Sequence, residues 1–324
     1  MSLLSEVEAK ALELAPLTAE EARALVAADL DELLASSCHV RRHHFGRGVR
    51  FCSIVNAKSG ACPEDCSFCA QSARSRTGVE VYPLFSVERI LEAARSAKAN
   101  GAYCFGIVTS GAAPSAGELE RICEAIAGVR AMGLAPCASL GALDRRSAQA
   151  LADAGLVAFN HNLETSNRFF PKICSTHARV ERLATLAHAR EAGLDLCSGG
   201  IFGMGEDWDD RVDVALELAK LGVRRVPINF LSPIPGTPLA GRPLLAPEDC
   251  LRVIAIFRLV LPDADIRICG GREESLRELQ PLALSAGANG FIIGNYLTLR
   301  GRPPEEDLRM VETLGMEVEC PGSL

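Results

Sequence analysis

Cys62, Cys66 and Cys69 lie within the stretch Ala61 to Ala70 as C-x3-C-x2-C, with the aromatic Phe68 just before the third. Three thiolates on one short loop can hold three irons of a cubane and leave the fourth iron open to a small molecule. A structural zinc site asks for a fourth protein ligand, and a disulfide pair would leave one thiol over. Pro63, Glu64 and Asp65 between the first two cysteines make a turn rather than a buried apolar run. The spacing therefore favours a ligand loop over three unrelated thiols.

The rest of the composition agrees with metal or redox work in a reducing compartment. The chain has 324 residues, 48% of them hydrophobic, a formal charge of −7 and 13 cysteines. No apolar run reaches membrane-spanning length. The opening residues are helical in pattern and rich in Ala, Leu and Glu, without the basic start and apolar stretch of a signal peptide. A cytoplasmic protein with reduced thiols is expected. The acidic balance gives no support for nucleic-acid binding. A local basic group, Arg41, Arg42, His43, His44, Arg47 and Arg50, runs against it and reads as a solvated connection into the first strand. Cys38, His39, His43 and His44 have ligand-like spacing with little else to support a metal.

The elements that must position the loop alternate regularly. Short β-branched or apolar runs at 51–56, 102–108, 135–140, 157–162, 194–198, 225–229, 265–269 and 290–293 read as strands. Amphipathic stretches at 87–99, 116–132, 145–154, 180–192, 208–221, 247–261 and 273–285 read as helices, several ending in a glycine stop such as Met132-Gly133 and Ala192-Gly193. Eight βα alternations predict an α/β fold, a (β/α)8 TIM-type barrel, with an open doubly wound sheet as the structural alternative. The chain reads as one domain: an N-terminal helical extension over 1–50, the barrel over 51–300 and a C-terminal extension over 301–324. In such a barrel the loop after the first strand sits at the mouth.

The barrel also organises a second donor set. Cys104, Cys137 and Cys197 fall on strands two, three and five, and inward positions on different strands converge on one axis. The three are therefore candidates for one deep metal site, although any one alone reads as a small buried hydrophobe. Cys123 and Cys250 read as packing, and Cys38, Cys52 and Cys320 have no assigned role.

The C-x3-C-x2-C spacing with its aromatic resembles the signature of radical S-adenosylmethionine (SAM) enzymes. The longer run Asn56-Ala-Lys-Ser-Gly-Ala-Cys62-Pro-Glu-Asp-Cys66-Ser-Phe-Cys69-Ala-Gln-Ser closely resembles the cluster loop of the biotin synthase family. The resemblance continues through Tyr103-Cys104-Phe-Gly, Cys137-Ala-Ser-Leu-Gly, Asn160-His-Asn162-Leu-Glu164-Thr-Ser, Cys197-Ser-Gly-Gly-Ile201, Val226-Pro-Ile-Asn229 and Arg267-Ile-Cys-Gly-Gly-Arg-Glu273. It covers nearly the whole chain in one order.

That resemblance implies the following expectations. Cys62, Cys66 and Cys69 hold a 4Fe–4S cluster with SAM on its open iron. Cys104, Cys137, Cys197 and Arg267 hold an auxiliary iron–sulfur cluster that donates sulfur, with Cys197 and Arg267 counted as catalytic. Asn162 and Glu164 contact SAM near its ribose, and Gly199, Gly200 and Ile201 approach it. Asn160, Asn162 and Asn229 surround the ureido ring of dethiobiotin, where amide side chains offer both a donor and an acceptor. Reductive cleavage of SAM to a deoxyadenosyl radical would open two unactivated C–H bonds for sulfur insertion. A flavodoxin or ferredoxin-type electron donor and a homodimer are also implied.

Three departures follow. Cys269 lies two residues after Arg267, so both side chains face the same side of a strand. Thiolate is the ordinary ligand, so Cys269 could replace or supplement Arg267 and change a 2Fe–2S site to a larger type. Cys174 sits in a loop after strand four, as a sulfur-handling thiol or an incidental one. Thr298 stands alone where a threonine pair is expected near the substrate carboxylate, with Arg300 as a charge that could compensate. The rival readings are another radical SAM barrel enzyme that rearranges or methylates, a non-catalytic iron–sulfur protein, and a zinc module.

Overall fold

The computed structural model describes residues 2–319, so Cys320 lies outside the described residues. The Ala-, Leu- and Glu-rich opening forms α1 (Leu3–Leu12), α2 (Ala19–Ala24) and α3 (Leu30–Phe45). Ser2, Thr18 and Asp29 start them by accepting a backbone N–H from the first turn of each helix.

Nine strands follow with helices between them. They are β1 (Gly48–Lys58), β2 (Cys104–Thr109), β3 (Ala135–Ser139), β4 (Ala158–Asn160), β5 (Asp195–Cys197), β6 (Gly200–Phe202), β7 (Arg225–Phe230), β8 (Asp265–Ile268) and β9 (Gly290–Ile292). All pairings are parallel. β1 pairs with both β2 and β9, which closes the sheet into a (β/α)8 barrel. The expected strand at 194–198 is one stave in two pieces: β5 and β6 both pair with β7, broken at Ser198-Gly199. Only glycine fits at the break, because a Cβ on Gly199 would lie 1.8 Å from the Pro227 carbonyl oxygen.

The outer layer is α4 (Val87–Ala99), α5 (Ala116–Ala131), α6 (Arg145–Asp153), α7 (Arg179–Glu191), α8 (Trp208–Lys220) and α9 (Pro247–Val260). The helix expected over 273–285 is instead α10 (Arg272–Leu276), a 3-10 turn and α11 (Leu282–Ser285). Arg277 turns to φ +50° and Pro281 has no N–H to donate, so a continuous ladder cannot form. Last come α12 (Pro304–Thr313) and β10 (Glu317–Val318), which pairs with Gly48 and Val49 of β1.

Strand alternation divides the side chains. Phe51, Phe105, Phe159 and Phe291 point outward and are buried under the helices. Each fully buried aromatic of this kind contributes about 1.5–3 kcal/mol. Their neighbours face the barrel axis. Register sets Cys52 opposite Cys104, Gly106 opposite Cys137, Asn160 opposite Cys197, and Cys197 opposite Arg225.

The basic group is a solvated connection only in part: Arg42, His43 and Arg47 are exposed. Arg41 is fully buried on α3, where it donates to the carbonyls of Gly46 (2.6 Å), Gly48 (2.7 Å) and Ala288 (3.2 Å). The loop leaving α3 has carbonyls that need donors, and Arg41 supplies them.

Candidate functional site

A cavity of about 530 Å³ occupies the barrel interior and its C-terminal mouth. Cys62, Cys66 and Cys69 line the mouth; Asn160, Asn162, Glu164, Ile201, Asn229 and Thr298 line the wall; Cys137, Cys197, Arg267 and Cys269 line the deep end. Cys104 is fully buried just behind that deep wall, and Gly199 and Gly200 contribute backbone rather than lining. Arg300 is exposed and does not line the cavity, whereas Thr298 does. The residue two places along a loop from a lining residue need not face the same way.

The mouth loop is held by its own backbone and by the loop after β4. Cys62 N–H donates to Gln71 O (3.0 Å), Ala73 N–H to Cys62 O (2.8 Å), and Cys69 N–H to Cys66 O (2.9 Å). Asp65 accepts from the Ser175 N–H (2.9 Å), the Thr176 N–H (3.2 Å) and the Cys174 thiol (3.3 Å). Burial works against its charge, but the Ser175, Cys174 and Thr176 donors hold its carboxyl well below the usual range. Burial pushes the Cys66 and Cys69 thiols up. Both would ionise on metal binding, as cluster ligands must.

Cys174 lies against this loop. Its Sγ is 3.9 Å from Cys66 Sγ and 3.3 Å from His177 Nδ1, and Cys66, Cys174 and His177 are close enough to hold one ion. However, Cys174 donates to Asp65, and His177 Nδ1 pairs with Glu64 at 2.7 Å. Both side chains thus buttress the two carboxylates that set the turn. By contrast, Cys38, His39, His43 and His44 form no such donor group among the described residues.

At the deep end the structure brings Cys104, Cys137 and Cys197 together with Arg267, and adds two residues that sequence reasoning missed. Cys52 packs with Cys104, Cys137 and Cys197, and Arg225 joins them from β7. The signal for Cys52 was present: two residues before Ile54 on the inward face of β1, it shares the periodicity of that face. Arg225 was hidden because a strand-start arginine normally reads as exposed. Cys104 is favoured as thiolate by hydrogen bonds from Cys137 and Cys52 and by the guanidinium of Arg267, whose Nη1 lies 2.9 Å from its Sγ. Those same bonds, with burial, push Cys52 and Cys137 up.

Burial alone would weaken the charge on Arg267, but Asp265 and Cys104 hold its proton firmly. Arg225 is held likewise by Cys137 and Cys104, against burial, and pairs with Asp195 at 3.0 Å. Arg267 Nε and Arg225 Nη1 are buried without a partner. Thiols beside orphaned cationic N–H groups fit a bound anionic iron–sulfide core. Cys269 does face this chamber, on the same side of its strand as Arg267, with its thiol 3.5 Å from the Arg267 carbonyl oxygen.

The wall between the two sulfur sets is built by β4 and the split stave. Asn162 Oδ1 accepts from the Gly199 N–H and from Asn160 Nδ2, both at 3.2 Å. Glu164 adopts φ +66°, and its carbonyl accepts the Ile201 N–H at 2.9 Å. Its carboxylate is buried, with Oε1 3.7 Å from Arg182 and Oε2 without a partner. An orphaned buried carboxylate oxygen fits a ligand that brings hydroxyl donors. Asn229 donates to Gly200 O (3.2 Å) and accepts from the Gly270 N–H (3.0 Å), pinning β6 to the loop after β8.

Comparison with known proteins gives the family. Residues 57–219 match the model of the Radical SAM superfamily, and residues 227–317 match the Biotin and Thiamin Synthesis associated domain. The biotin synthase of Trichlorobacter lovleyi is 53% identical over 94% of this chain and 93% of its own, and that of Geobacter sulfurreducens is 50% identical over the same shares. Among solved structures, methylornithine synthase superposes with a TM-score of 0.83 at 23% identity over 97% of each chain, which speaks for the fold. With two sulfur-lined ends in one barrel cavity and half of its residues shared with these relatives, the chain belongs to the biotin synthase family of radical SAM enzymes.

Proposed function

We propose that this enzyme inserts sulfur into dethiobiotin within the barrel cavity, between a mouth cluster held by Cys62, Cys66 and Cys69 and an inner cluster held around Cys104, Cys137, Cys197 and Arg267. The observation that carries this reading is the inner chamber. Its thiols, with partnerless N–H groups of Arg225 and Arg267, form a donor set that a barrel doing other radical chemistry has no need of. When bound, the mouth cluster with SAM supplies a hydrogen-abstracting radical and the inner cluster supplies sulfur.

The chain's own residues orient and shield. Glu164 and Asn162 present a carboxylate and a fixed amide to the ribose of SAM, and the backbone of Gly199, Gly200 and Ile201 shapes its bed. Asn160 has its amide nitrogen committed to Asn162 and Cys197, which leaves its oxygen to accept a ureido N–H. Asn229 keeps one N–H for the ureido oxygen after its two backbone bonds. Thr298 is the hydroxyl proposed for the substrate carboxylate. Ile54, Val108 and Leu297 are apolar wall that excludes water from the reacting carbons. The chain is read as one catalytic unit, the barrel over 51–300 with extensions over 1–50 and 301–324. A flavodoxin or ferredoxin-type donor, a homodimer and a cytoplasmic setting are part of the same proposal. Among the described residues, no helix is long and apolar enough to cross a membrane.

The test is anaerobic. Reconstituted enzyme with dithionite, SAM and dethiobiotin should yield biotin and 5′-deoxyadenosine by mass spectrometry, and Cys197→Ala should lose the biotin. Deoxyadenosine without biotin in the unmodified enzyme would overturn the substrate assignment.

A further inference from the structure

We propose that, before the mouth cluster is built, the chain holds one ferrous ion between Cys66, Cys174 and His177, and that this ion is the first iron of the cluster. The proposal rests on the reading of Cys62, Cys66 and Cys69 as cluster ligands.

Spacing makes the case. One donor atom from each of Cys66, Cys174 and His177 lies within 4.8 Å of the other two, and among the described residues this is the only such set of three. Cys62, Cys66 and Cys69 do not form one, nor do the inner thiols. Both of those sets are spread for a polynuclear core and give a lone ion no ready seat. Two thiolates about 2.3 Å from one tetrahedral metal lie about 3.8 Å apart, and a thiolate and an imidazole nitrogen about 3.6 Å. Here Cys66 Sγ and Cys174 Sγ are 3.9 Å apart, and Cys174 Sγ and His177 Nε2 are 3.8 Å apart.

The surroundings suit a metal as well. His177 Nδ1 pairs with Glu64 Oε2 at 2.7 Å, which holds the ring and leaves Nε2 as the ligand atom. A carboxylate behind a ligating imidazole is the usual support of such a ligand. When Cys174 gives up its S–H, Asp65 still accepts from the Ser175 and Thr176 N–H groups. Both sulfurs sit in one apolar cluster with Phe170, Ile173 and Met204, which keeps competing water from them. Cys66 and His177 line the cavity, so the fourth position of the ion opens on the mouth, where iron arrives. On binding, each thiol releases one proton to water. When the iron passes to the cluster, its bond to Cys66 is kept, its bonds to Cys174 and His177 break, and Cys174 takes a proton back from water. Cys66 is shared, so the single ion and the finished cluster exclude one another. The site belongs to the cluster-free chain.

The experiment uses the full-length, cluster-free protein, with cobalt(II) as the probe for ferrous iron. Anaerobic titration reads the thiolate-to-cobalt absorption and the visible bands of tetrahedral cobalt. The unmodified chain is compared with Cys174→Ala, His177→Gln, Cys62→Ala, Cys69→Ala and Cys137→Ala, with circular dichroism to confirm folding. Cys137→Ala separates any cobalt held by the inner thiols. The expected result is a one-to-one tetrahedral complex that Cys174→Ala and His177→Gln lose and that Cys62→Ala, Cys69→Ala and Cys137→Ala retain. Glu64→Gln should weaken it roughly tenfold. A second measurement follows 4Fe–4S absorption as ferrous iron, kept limiting, and sulfide are supplied. Cys174→Ala should build its mouth cluster more slowly than the unmodified chain and reach the same final iron. A cobalt signal that persists in Cys174→Ala and His177→Gln, or that vanishes in Cys62→Ala, would overturn the site. An unchanged rate of cluster formation in Cys174→Ala would overturn its part in loading. If the unmodified chain builds no cluster at all, the mouth-cluster reading itself has failed.

Discussion

Glu164→Gln separates a carboxylate that serves SAM from one that merely fills space. The side chain is buried, Oε2 has no partner, and the nearest cation, Arg182, is 3.7 Å from Oε1. The backbone at this position is fixed by the Ile201 N–H and by φ +66°, so glutamine keeps the shape and loses only the charge. A hydrogen bond to a charged group is worth about 1.5–3 kcal/mol net and a neutral one about 0.5–1.5. The variant should therefore lose about 1.5 kcal/mol of SAM affinity, roughly tenfold in Kd. Burial, only partly offset by Arg182, raises the Glu164 carboxyl above its ordinary 4.5. The ionised form is the one that accepts hydroxyl donors, so wild-type SAM affinity should fall as pH drops through that raised value, while the variant stays flat. Stability follows the same group: the folded state favours the protonated form, so its stabilising contribution is present below 4.5 and lost as pH rises through the folded value. Anaerobic equilibrium dialysis of SAM against both proteins from pH 5 to 8 reads the affinities. Equal Kd values with the same pH profile would refute the assignment of Glu164 to SAM.

Other perturbations test the surrounding structure. Gly199→Ala places a Cβ against the Pro227 carbonyl oxygen and should destabilise the fold by about 1–3 kcal/mol while impairing SAM binding, measured by thermal melts and dialysis. Asp307→Ala strips the partner from Arg272, 2.5 Å away and fully buried, and should cost about 3–5 kcal/mol in a urea titration. Asp65→Asn replaces a carboxylate that accepts from Ser175, Thr176 and Cys174, so iron retained at the mouth loop after reconstitution and desalting should fall, with the inner-site iron unchanged.

The barrel was readable because its signals are local and repeated. Runs such as Ala102–Val108 and helices such as Val87–Ala99 carry their own periodicity, and the glycine stops punctuate them. The split stave was not readable, since the close approach of Pro227 that requires glycine at the break comes from the neighbouring strand. The helix expected over 273–285 failed for a related reason: a pattern of apolar spacing outweighed Pro281. The mouth cysteines were legible from spacing alone. Cys104, Cys137 and Cys197 needed the barrel first, because their proximity is a product of closure. Cys52 obeyed the same alternation and was passed over for want of a motif. Arg225 and Asp265 had no local signal, since their partners are assembled by the fold: Asp195 and the thiols for Arg225, and Arg267, Arg50 and Asn289 for Asp265.

The charged residues at the foot of the barrel form a linked polar floor beneath the sulfur chamber. Arg50 on β1 reaches Glu319 at 2.6 Å and Asp265 at 3.7 Å, and its guanidinium lies 5.3 Å from the centroid of the Tyr103 ring. Asp265 holds Arg267 above it, and Asn289 links Asp265 to Arg258, which is buried and donates to the carbonyls of Gly287 (2.7 Å), Pro262 (2.9 Å) and Ala264 (2.9 Å). Gly290 leaves room for this stack, since a Cβ there would come within 3.0 Å of the Arg267 side chain. An apolar plug would also exclude water, but it could not orient a guanidinium toward Cys104. A satisfied polar floor does both: it spends each charge on a fixed partner and directs the remaining N–H groups into the chamber. The inner thiols then meet solvent through the mouth of the cavity, so under the proposed function a substrate seated between the two sulfur sets would be the stopper against water and oxygen. The N- and C-terminal extensions take part through Arg41, which braces the entry to β1, and Glu319, which anchors Arg50. They are thus part of the chamber's closure as well as of the outer coat.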